Sequence, residues 1–483
     1  MKFIIKLFPE ITIKSRPVRK MFIVQLRRNI KQTLLHYDIE SKVQGNWDHV
    51  EVVIPDDSQE LAAQDQLTRI SGIDKVLTVK EHEFETFDDI FQIAKETYAD
   101  KIKNKTFCVR VKRSGQHDFT SIDVERYVGG GLMQHCEAKK IQLKNPEYTV
   151  QMQINKQTLQ TISDIVPGQG GFPLGMQDSV LSLISGGFDS NVASYLMSRR
   201  GLQTHYLFFN LGGTAHEVGV KQVSHYLWER FGVSHGVKFV TIPFDGVVTE
   251  ILQQVDNSQM GVILKRMMLR AATEVANKLG IESLVTGESI GQVSSQTLRN
   301  LNVIDSVTDM LVMRPLIVMD KPEIVDISRK IGTYDFAASM PEYCGVISVK
   351  PTTRAKPERI EAEEAKFNFD VLNDAIENCS IQKIKNVLSS SEGVCDVDLV
   401  EIPGADDVII DIRHPQEQEQ APLHLTNNTI LNIPFYELNN KADMIPKDKS
   451  ALLYCAKGTM SQLHAQQLKQ SGMDNIKVFK PSK

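Results

Sequence analysis

The sequence predicts a multidomain α/β protein: a doubly wound parallel-sheet domain, preceded by two small α+β domains and followed by a compact α/β domain. Three observations carry that prediction. At ~100 to 200 residues per domain, 483 residues are too many for one ordinary core. From 180 to about 345, short and almost continuous apolar runs alternate with helical segments, which is how parallel strands covered on both faces read. Before that stretch apolar residues alternate with polar ones as in half-buried strands, and after an acidic, polar stretch at 356–400 strand-like runs resume.

In chain order, residues 1–60 combine the strand-like runs "KFIIKLF" and "EVVIP" with a helical pattern from Arg19 to Tyr37. Residues 61–165 repeat the style. "FCVRVKR" reads as a strand, Thr120 to Asp123 supplies a T-x-x-D helix start, and Val150, Met152 and Ile154 alternate with polar neighbours in "YTVQMQIN". "PGQGGFPLG" (167–175) reads as a loop at a boundary or hinge, since Pro173 takes the place of the third glycine of a G-x-G-x-x-G turn. The domain at 176–390 holds the strands "VLSLI", "HYLFFN", "VKFVTIPF" and "ESLVTG". "DVIIDIR", "LNIPF" and "ALLYCAKG" then build a compact domain of about 80 residues at 404–483.

Hydrophobic residues make up 41% and charged residues 24%, the balance of a soluble globular chain rather than a disordered one. No apolar run approaches the ~20 residues of a membrane helix, and "MKFIIKLFPEITIK" has too short an apolar stretch for a signal peptide, so the expected location is the cytoplasm, with no membrane partner. Six cysteines, at 108, 136, 344, 379, 395 and 455, include no C-x-x-C pair. That argues against a zinc site or a disulfide scaffold, and leaves each as a small buried residue or a reactive thiol.

The net charge of -5 is unevenly spread. Residues 1–33 carry nine Lys or Arg against the single Glu10, and residues 101–113 carry six against none, whereas 358–420 hold sixteen acidic residues against five basic ones. One charge run alone reads as a solvated face. Two basic runs in the N-terminal third favour a polyanion held through its phosphates, with Lys14, Arg16, Arg19, Lys20, Arg110, Lys112 and Arg113 as candidate contacts.

In "VLSLISGGFDSNVASYLM" (180–197) a strand ending at Ile184 delivers the chain to Ser185-Gly186-Gly187, and a helix begins near Asp189 and Ser190. Glycines let the backbone approach a ligand closely, and exposed N–H groups at a helix start favour an anion, so the turn is expected to bind phosphate; a tight turn with no ligand is the alternative. G-x-x-x-x-G-K-[ST] occurs nowhere, which excludes the lysine-bearing phosphate loop of kinase-like and GTPase-like enzymes. S-G-G-x-D-S at a strand-to-helix turn resembles the PP-loop of ATP pyrophosphatases, which cleave between the α- and β-phosphates and adenylate an oxygen of their substrate. That resemblance implies ATP with Mg2+, and no permanently bound cofactor. It places Leu183 and Ile184 against adenine through backbone groups, and assigns nucleotide contacts to Ser185, Gly186, Gly187, Asp189, Ser190, Lys265, Gly287 and Gln296. Lys321 resembles the lysine that neutralises the α-phosphate, while Asp320-Lys-Pro-Glu323 also reads as a plain helix N-cap with proline in the first turn.

Cys455 ends the apolar run "ALLY" and opens "CAKGTMSQLHAQQL", a loop followed by a helical pattern. A thiol at a helix N-terminus ionises more readily, which suits a nucleophilic sulfur; a buried strand-end residue is the other reading. With "DIRHP" (411–415) and "LNIPF" (431–435), the loop resembles a rhodanese domain, whose cysteine carries a persulfide. Met460 stands where that pattern usually has arginine, which favours sulfur delivered by a protein over thiosulfate. Cys344 lies in a loop between prolines, and by itself says little.

The order of parts is more specific than any one of them. An N-terminal ferredoxin-like unit (1–60), a THUMP-like RNA-binding domain (61–165), a PP-loop domain (176–390) and a rhodanese-like domain (404–483) together resemble the tRNA 4-thiouridine synthetase family over essentially the whole chain. The resemblance implies adenylation of a tRNA uracil at its C4 oxygen, then displacement of AMP by sulfur from a Cys455 persulfide. It also implies loading of Cys455 by a cysteine desulfurase, and a transient Cys344–Cys455 disulfide formed when Cys344 attacks the persulfide. Sulfur supply for the thiamine thiazole, with a sulfur-carrier protein as partner, belongs to the same family. Two other functions remain open on the residues: a PP-loop ligase or amidating enzyme on a small substrate, and a sulfur-carrying, RNA-binding scaffold with an inactive nucleotide loop.

Overall fold

Eight strands from the first 170 residues form one mixed sheet: β1 (Lys2–Leu7), β2 (Lys42–Gly45), β3 (His49–Val53), β4 (Ile73–Glu83), β5 (Thr106–Ser114), β6 (Lys140–Ile141), β7 (Tyr148–Asn155) and β8 (Thr158–Gly170), in the order β2-β3-β1-β4-β8-β7-β5-β6. The computed structural model describes residues 1–481 except 212, 341–350, 389–396, 414–417, 420, 426, 435–437, 439–440, 456–460, 462–463, 466–467 and 470–471. The described residues fall into two compact units: Met1–Asp178 with Ser198–Leu202 and Arg230–His235, and the remainder from Ser179 to the C-terminal region.

In the first unit, the helix Arg16–His36 buries Phe22, Leu26, Ile30 and Leu34 against Phe3, Ile5, Val50 and Val52. The same core takes Ala63 and Leu67 from the helix Glu60–Thr68 and Ile73 and Val76 from β4, so it extends beyond residue 60. A second core packs the helices Phe87–Ile102 and Ser121–His135 on β5 and β7. Both helices start on capping boxes, Thr86 with Asp89 and Thr120 with Asp123, each satisfying two otherwise unpaired N–H groups. Strand β4 joins the two halves: it pairs antiparallel with β1 (Ile5 opposite Val76) and with β8 (Leu77 opposite Ile165).

The expected loop at 167–175 is only partly a loop. Pro167 to Gly170 end β8, with Pro167 opposite Lys75 and Gly170 opposite Ile73, so β8 carries one residue more than β4 across this bulge. A Cβ on Gly168 would lie 2.4 Å from the Ile73 carbonyl oxygen, so glycine here lets two backbones touch rather than turning the chain.

The second unit holds two sheets. The first comprises β9 (Ser179–Leu183), β10 (Gln203–Asn210), β11 (Lys238–Pro243), β12 (Ser283–Val285), β13 (Leu311–Met313) and β14 (Ser380–Lys383), in the order β13-β12-β9-β10-β11-β14; all are parallel except β14. The chain begins in the middle at β9, moves outward through β10 and β11, and returns to the other side of β9 at β12. The carboxyl ends of β9 and β12 therefore flank the topological switch point, where open α/β sheets bind ligands. The helix Met260–Leu279 covers the sheet, packing Ile263, Met267 and Val275 with Leu181, Leu207, Val240 and Leu284.

The second sheet of this unit runs β15 (Leu399–Val400), β19 (Ile476–Phe479), β18 (Ala451–Tyr454), β16 (Val408–Asp411) and β17 (Thr429–Asn432), all parallel, with β18 at the centre. Its core of Ile410, Leu453 and Val478 also contains Val223 from the helix Gly213–Phe231 and Phe336 from the helix Tyr334–Ser339.

Candidate active site

The S-G-G-F-D-S turn leaves β9 as its sequence suggests. Ile184 is buried and donates its N–H to Leu207 O at 2.8 Å, the last tie to the sheet. Gly186 then takes φ +82°, a conformation that only glycine adopts without strain, and a helix starts at Phe188. Ser190 ties the turn to the helix: its Oγ accepts from Ser185 N at 3.1 Å and donates to Gly187 O at 3.2 Å, while Asn191 donates to Gly186 O at 2.9 Å. The His216 ring donates from Nε2 to Ser185 O at 3.2 Å; burial lowers its pKa, and that hydrogen bond only partly offsets the effect.

Across the switch point, the turn after β12 presses against this helix start. A Cβ on Gly287 would lie 2.6 Å from the Asp189 carbonyl carbon and 2.7 Å from Ser190 N. The structure also brings Asp189 and Lys321 together. The Lys321 ammonium lies 2.8 and 2.9 Å from the two Asp189 oxygens, and Gln292 donates to Oδ2 at 2.9 Å. Lys321 is the first residue of the helix Lys321–Ile331, and Asp320 N donates to Glu323 at 3.1 Å, so the turn is a helix N-cap whose lysine is also paired with Asp189.

Lys265, on the covering helix, bonds to Glu288, the residue after Gly287. Glu288 also accepts from Arg314 Nε at 2.7 Å and from Thr286 Oγ1 at 3.0 Å, and Arg314 in turn holds Asp305 at 2.6 Å. Burial alone would push the Glu288 carboxyl up, but the Lys265 and Arg314 charges outweigh it and hold the pKa at about 2. Gln296 is buried, and its Oε1 has no hydrogen-bond partner among the described residues, an acceptor open to a donor. Sequence reasoning missed Glu288, Gln292, Arg314 and His216. The "GES" after a strand hinted at the first, but ion partners distant in sequence carry no local signal.

Cys455 follows the central strand β18 directly. Its Sγ accepts from Ser461 N at 3.3 Å and lies 3.4 Å from the Ser461 hydroxyl. Nearby, Arg413 is buried against Asp411 at 2.6 Å and lies 5.0 Å from the centre of the Tyr454 ring. Cys344 and its expected pairing with Cys455 lie outside the described residues, as do Met460 and most of the Cys455 loop.

The expected RNA contacts divide by exposure. Lys14, Arg16, Lys20, Arg110 and Lys112 are exposed, and Arg113 lies over Phe119 at 5.6 Å. Arg16 and Lys20 line a groove of about 430 Å³ with Arg27 and the exposed Trp47. Arg19 is buried, donating to Thr12 O at 3.0 Å and stacking 4.3 Å from the centre of the Trp47 ring. Among the described residues, no group of three or more His, Cys, Asp or Glu side chains is placed to hold a metal ion.

Residues 175–369 match the family described as "Thiamine biosynthesis protein (ThiI)". The tRNA sulfurtransferase of Shewanella amazonensis is 54% identical over 484 residues, covering 100% of both chains. The chain belongs to the tRNA sulfurtransferase family. Another relative of this tRNA sulfurtransferase family member, that of Escherichia coli, is 53% identical over 482 residues and 100% of both chains. Within the family member, residues 2–76 match the "ThiI ferredoxin-like domain" and 84–160 the "THUMP domain", the stretches that build the first and second cores of the N-terminal unit. Among solved structures, a 4-thiouridine synthetase in complex with RNA and with bound ATP has a TM-score of 0.70 at 25% identity, covering 79% of this chain and 99% of that one. A Pyrococcus horikoshii protein at 17% identity and TM-score 0.53, covering 69% of this chain and 100% of that one, shares the fold.

Proposed function

We propose that this tRNA sulfurtransferase family member makes 4-thiouridine in tRNA, activating the uracil C4 oxygen with ATP and then replacing it with sulfur. The observation that carries the reading is the meeting of Asp189 and Lys321 at the S-G-G-F-D-S turn, at the switch point of the sheet and under Gly287. A carbonyl oxygen is a poor leaving group and adenylate a good one, so an ATP-cleaving turn and a sulfur-carrying thiol are the two tools that thiolation needs.

The C4 oxygen attacks the α-phosphorus and pyrophosphate leaves. The N–H groups of the turn and the first turn of the helix from Phe188 bind phosphate oxygens, and Lys321 exchanges Asp189 for the developing charge. Magnesium accompanying ATP would find one carboxylate of the chain, Asp189, at this turn and would take most of its ligands from phosphate and water. The terminal sulfur of a Cys455 persulfide then attacks C4 and AMP departs with the oxygen. Cys344 attacks Cys455 Sγ, the sulfur stays on the base, and a disulfide remains for an external reductant. Support for Cys344 comes from Met340, four residues before it in sequence, which lies so close to Gly186 that a Cβ there would be 2.8 Å from Met340 Cε. Support for a rhodanese-like carrier at 404–483 is the all-parallel five-stranded sheet with Cys455 at the end of its central strand. A cysteine desulfurase would load that sulfur, and a sulfur-carrier protein of thiazole synthesis could draw on it. We place the reaction in the cytoplasm; no helix among the described residues is long and apolar enough to cross a membrane.

Pyrophosphate release by the full chain, with ATP and unmodified tRNA, tests the reading. Release is expected only when tRNA is present, and Asp189→Ala should abolish it while tRNA affinity stays within about twofold. Release triggered by a small amine or acid without tRNA would favour the ligase alternative, and none under any condition would favour the scaffold.

A further inference from the structure

We propose that Glu288 is a positioning residue of the nucleotide site, holding the Lys265 ammonium beside the Gly287 turn where ATP binds; this rests on the reading of the Ser185–Ser190 turn as an ATP site. Glu288 follows the glycine that abuts Asp189 and Ser190, so its backbone is fixed by the helix start of the PP-loop. Its side chain, 9% exposed, turns away from solvent and receives three donors, from Lys265, Arg314 and Thr286. Two cations share one carboxylate. Arg314 has a second acid, Asp305, whereas Glu288 is the one acid bonded to Lys265 among the described residues. The lysine is thus held from one side only and keeps N–H donors for a further acceptor, with a quarter of its side chain reaching solvent. A carboxylate serving only to stabilise the sheet would need Arg314 and Thr286 alone; the added lysine, drawn from the covering helix to the edge of the switch point, is what a nucleotide oxygen would use.

The test is a double-mutant cycle on the full chain, reading ATP binding by calorimetry and the KM for ATP in tRNA-dependent pyrophosphate release. Glu288→Gln should weaken ATP binding about tenfold and raise the KM to match, with kcat unchanged at saturating ATP. Thr286→Val, which removes one neutral donor and no charge, should act in the same direction by about threefold. In a Lys265→Met background neither substitution should add a further loss. Additive losses in that background, or unchanged ATP affinity in Glu288→Gln, would overturn the proposal. Should Glu288→Gln fail to fold, Thr286→Val decides by the same two criteria. A parental protein that binds ATP but releases no pyrophosphate with tRNA would sink the adenylation reading and leave the Glu288 result standing; one that binds no ATP would overturn both.

Discussion

Gly287 has no room for a side chain, because its neighbour is the backbone of Asp189 and Ser190 rather than a flexible group. Gly287→Ala must therefore shift the helix start at Asp189 and Ser190. The expected cost is about 1–3 kcal/mol of stability, typical of overpacking, together with loss of pyrophosphate release. Denaturant unfolding and the pyrophosphate assay on the same preparation check both. Two buried histidines of the same unit set an acid limit. His205 and His464 are pushed down to about 4 by burial, with Lys238 adding to the effect at His205, and the His205 Nδ1 accepts Lys238 N at 2.9 Å, which requires a neutral ring. Each folded pKa lies below the unfolded value of about 6.5, so the unfolded chain takes up the protons first. Stability is intact above pH ~6.5 and falls as pH drops toward 4, by on the order of 3 kcal/mol per ring at the lower end. His205→Asn, whose amide oxygen can accept from Lys238 N, should remove one ring's share of that slope in unfolding curves taken from pH 7 to 4.5. The Ser185–Ser190 turn was legible because the strand, the glycines and the helix start are neighbours in sequence, whereas Gly287 and Lys321, 98 and 132 residues from Asp189, were reached only through the family resemblance. Glu288 and Arg314 carried no local signal, since the bonds that join Glu288 to Lys265 and Arg314 span 23 and 26 residues.

At the level of elements, local chemistry was most readable where it is self-contained. The T-x-x-D start at Thr120 became a capping box, and the apolar runs "VLSLI" and "HYLFFN" became β9 and β10. Thr120→Ala should cost about 1 kcal/mol and lower the melting of the N-terminal unit without changing ATP affinity. Reading failed where a residue type served an unusual purpose. Proline and glycine at 167–170 looked like punctuation, yet they end β8 in a bulge, where the Ile73 backbone of the partner strand comes too close for any side chain at Gly168. The helix Tyr334–Ser339 was equally silent. Its Tyr334 ring lies 5.4 Å from Phe188 beside the Ser185–Ser190 turn, while its Phe336 is buried in the core of the Cys455 sheet, a pairing that no periodicity announces.

For the whole molecule, the order of folded parts was visible because each keeps its own hydrophobic pattern, whereas the sharing of one sheet by the first 170 residues was not, since strand pairing is set by tertiary contacts. The two basic runs predict how the protein holds its RNA. With Lys14, Arg16, Lys20, Arg110 and Lys112 exposed, tRNA affinity should fall steeply with salt, and Lys112→Ala should reduce the slope of log K against log salt by about one. Arg19→Ala should instead lower stability with little change in slope, because that guanidinium is buried beneath Trp47. Filter binding across a salt series separates the two outcomes. Strand β4 has a further consequence. With β1 on one side and β8 on the other, it belongs equally to both halves of the N-terminal sheet, and Leu77 and Val79 rest on Ile4 and Ile162. A chain shortened to begin at residue 73 would keep the second core but open the β1 side of β4 from Ile73 to Val79, with Val76, Leu77 and Val79 uncovered and the N–H and C=O groups on that edge unmet, inviting copies to stack edge to edge. Such a fragment should precipitate rather than bind RNA weakly, so the ferredoxin-like part also acts as a built-in solubility tag for the part that follows it.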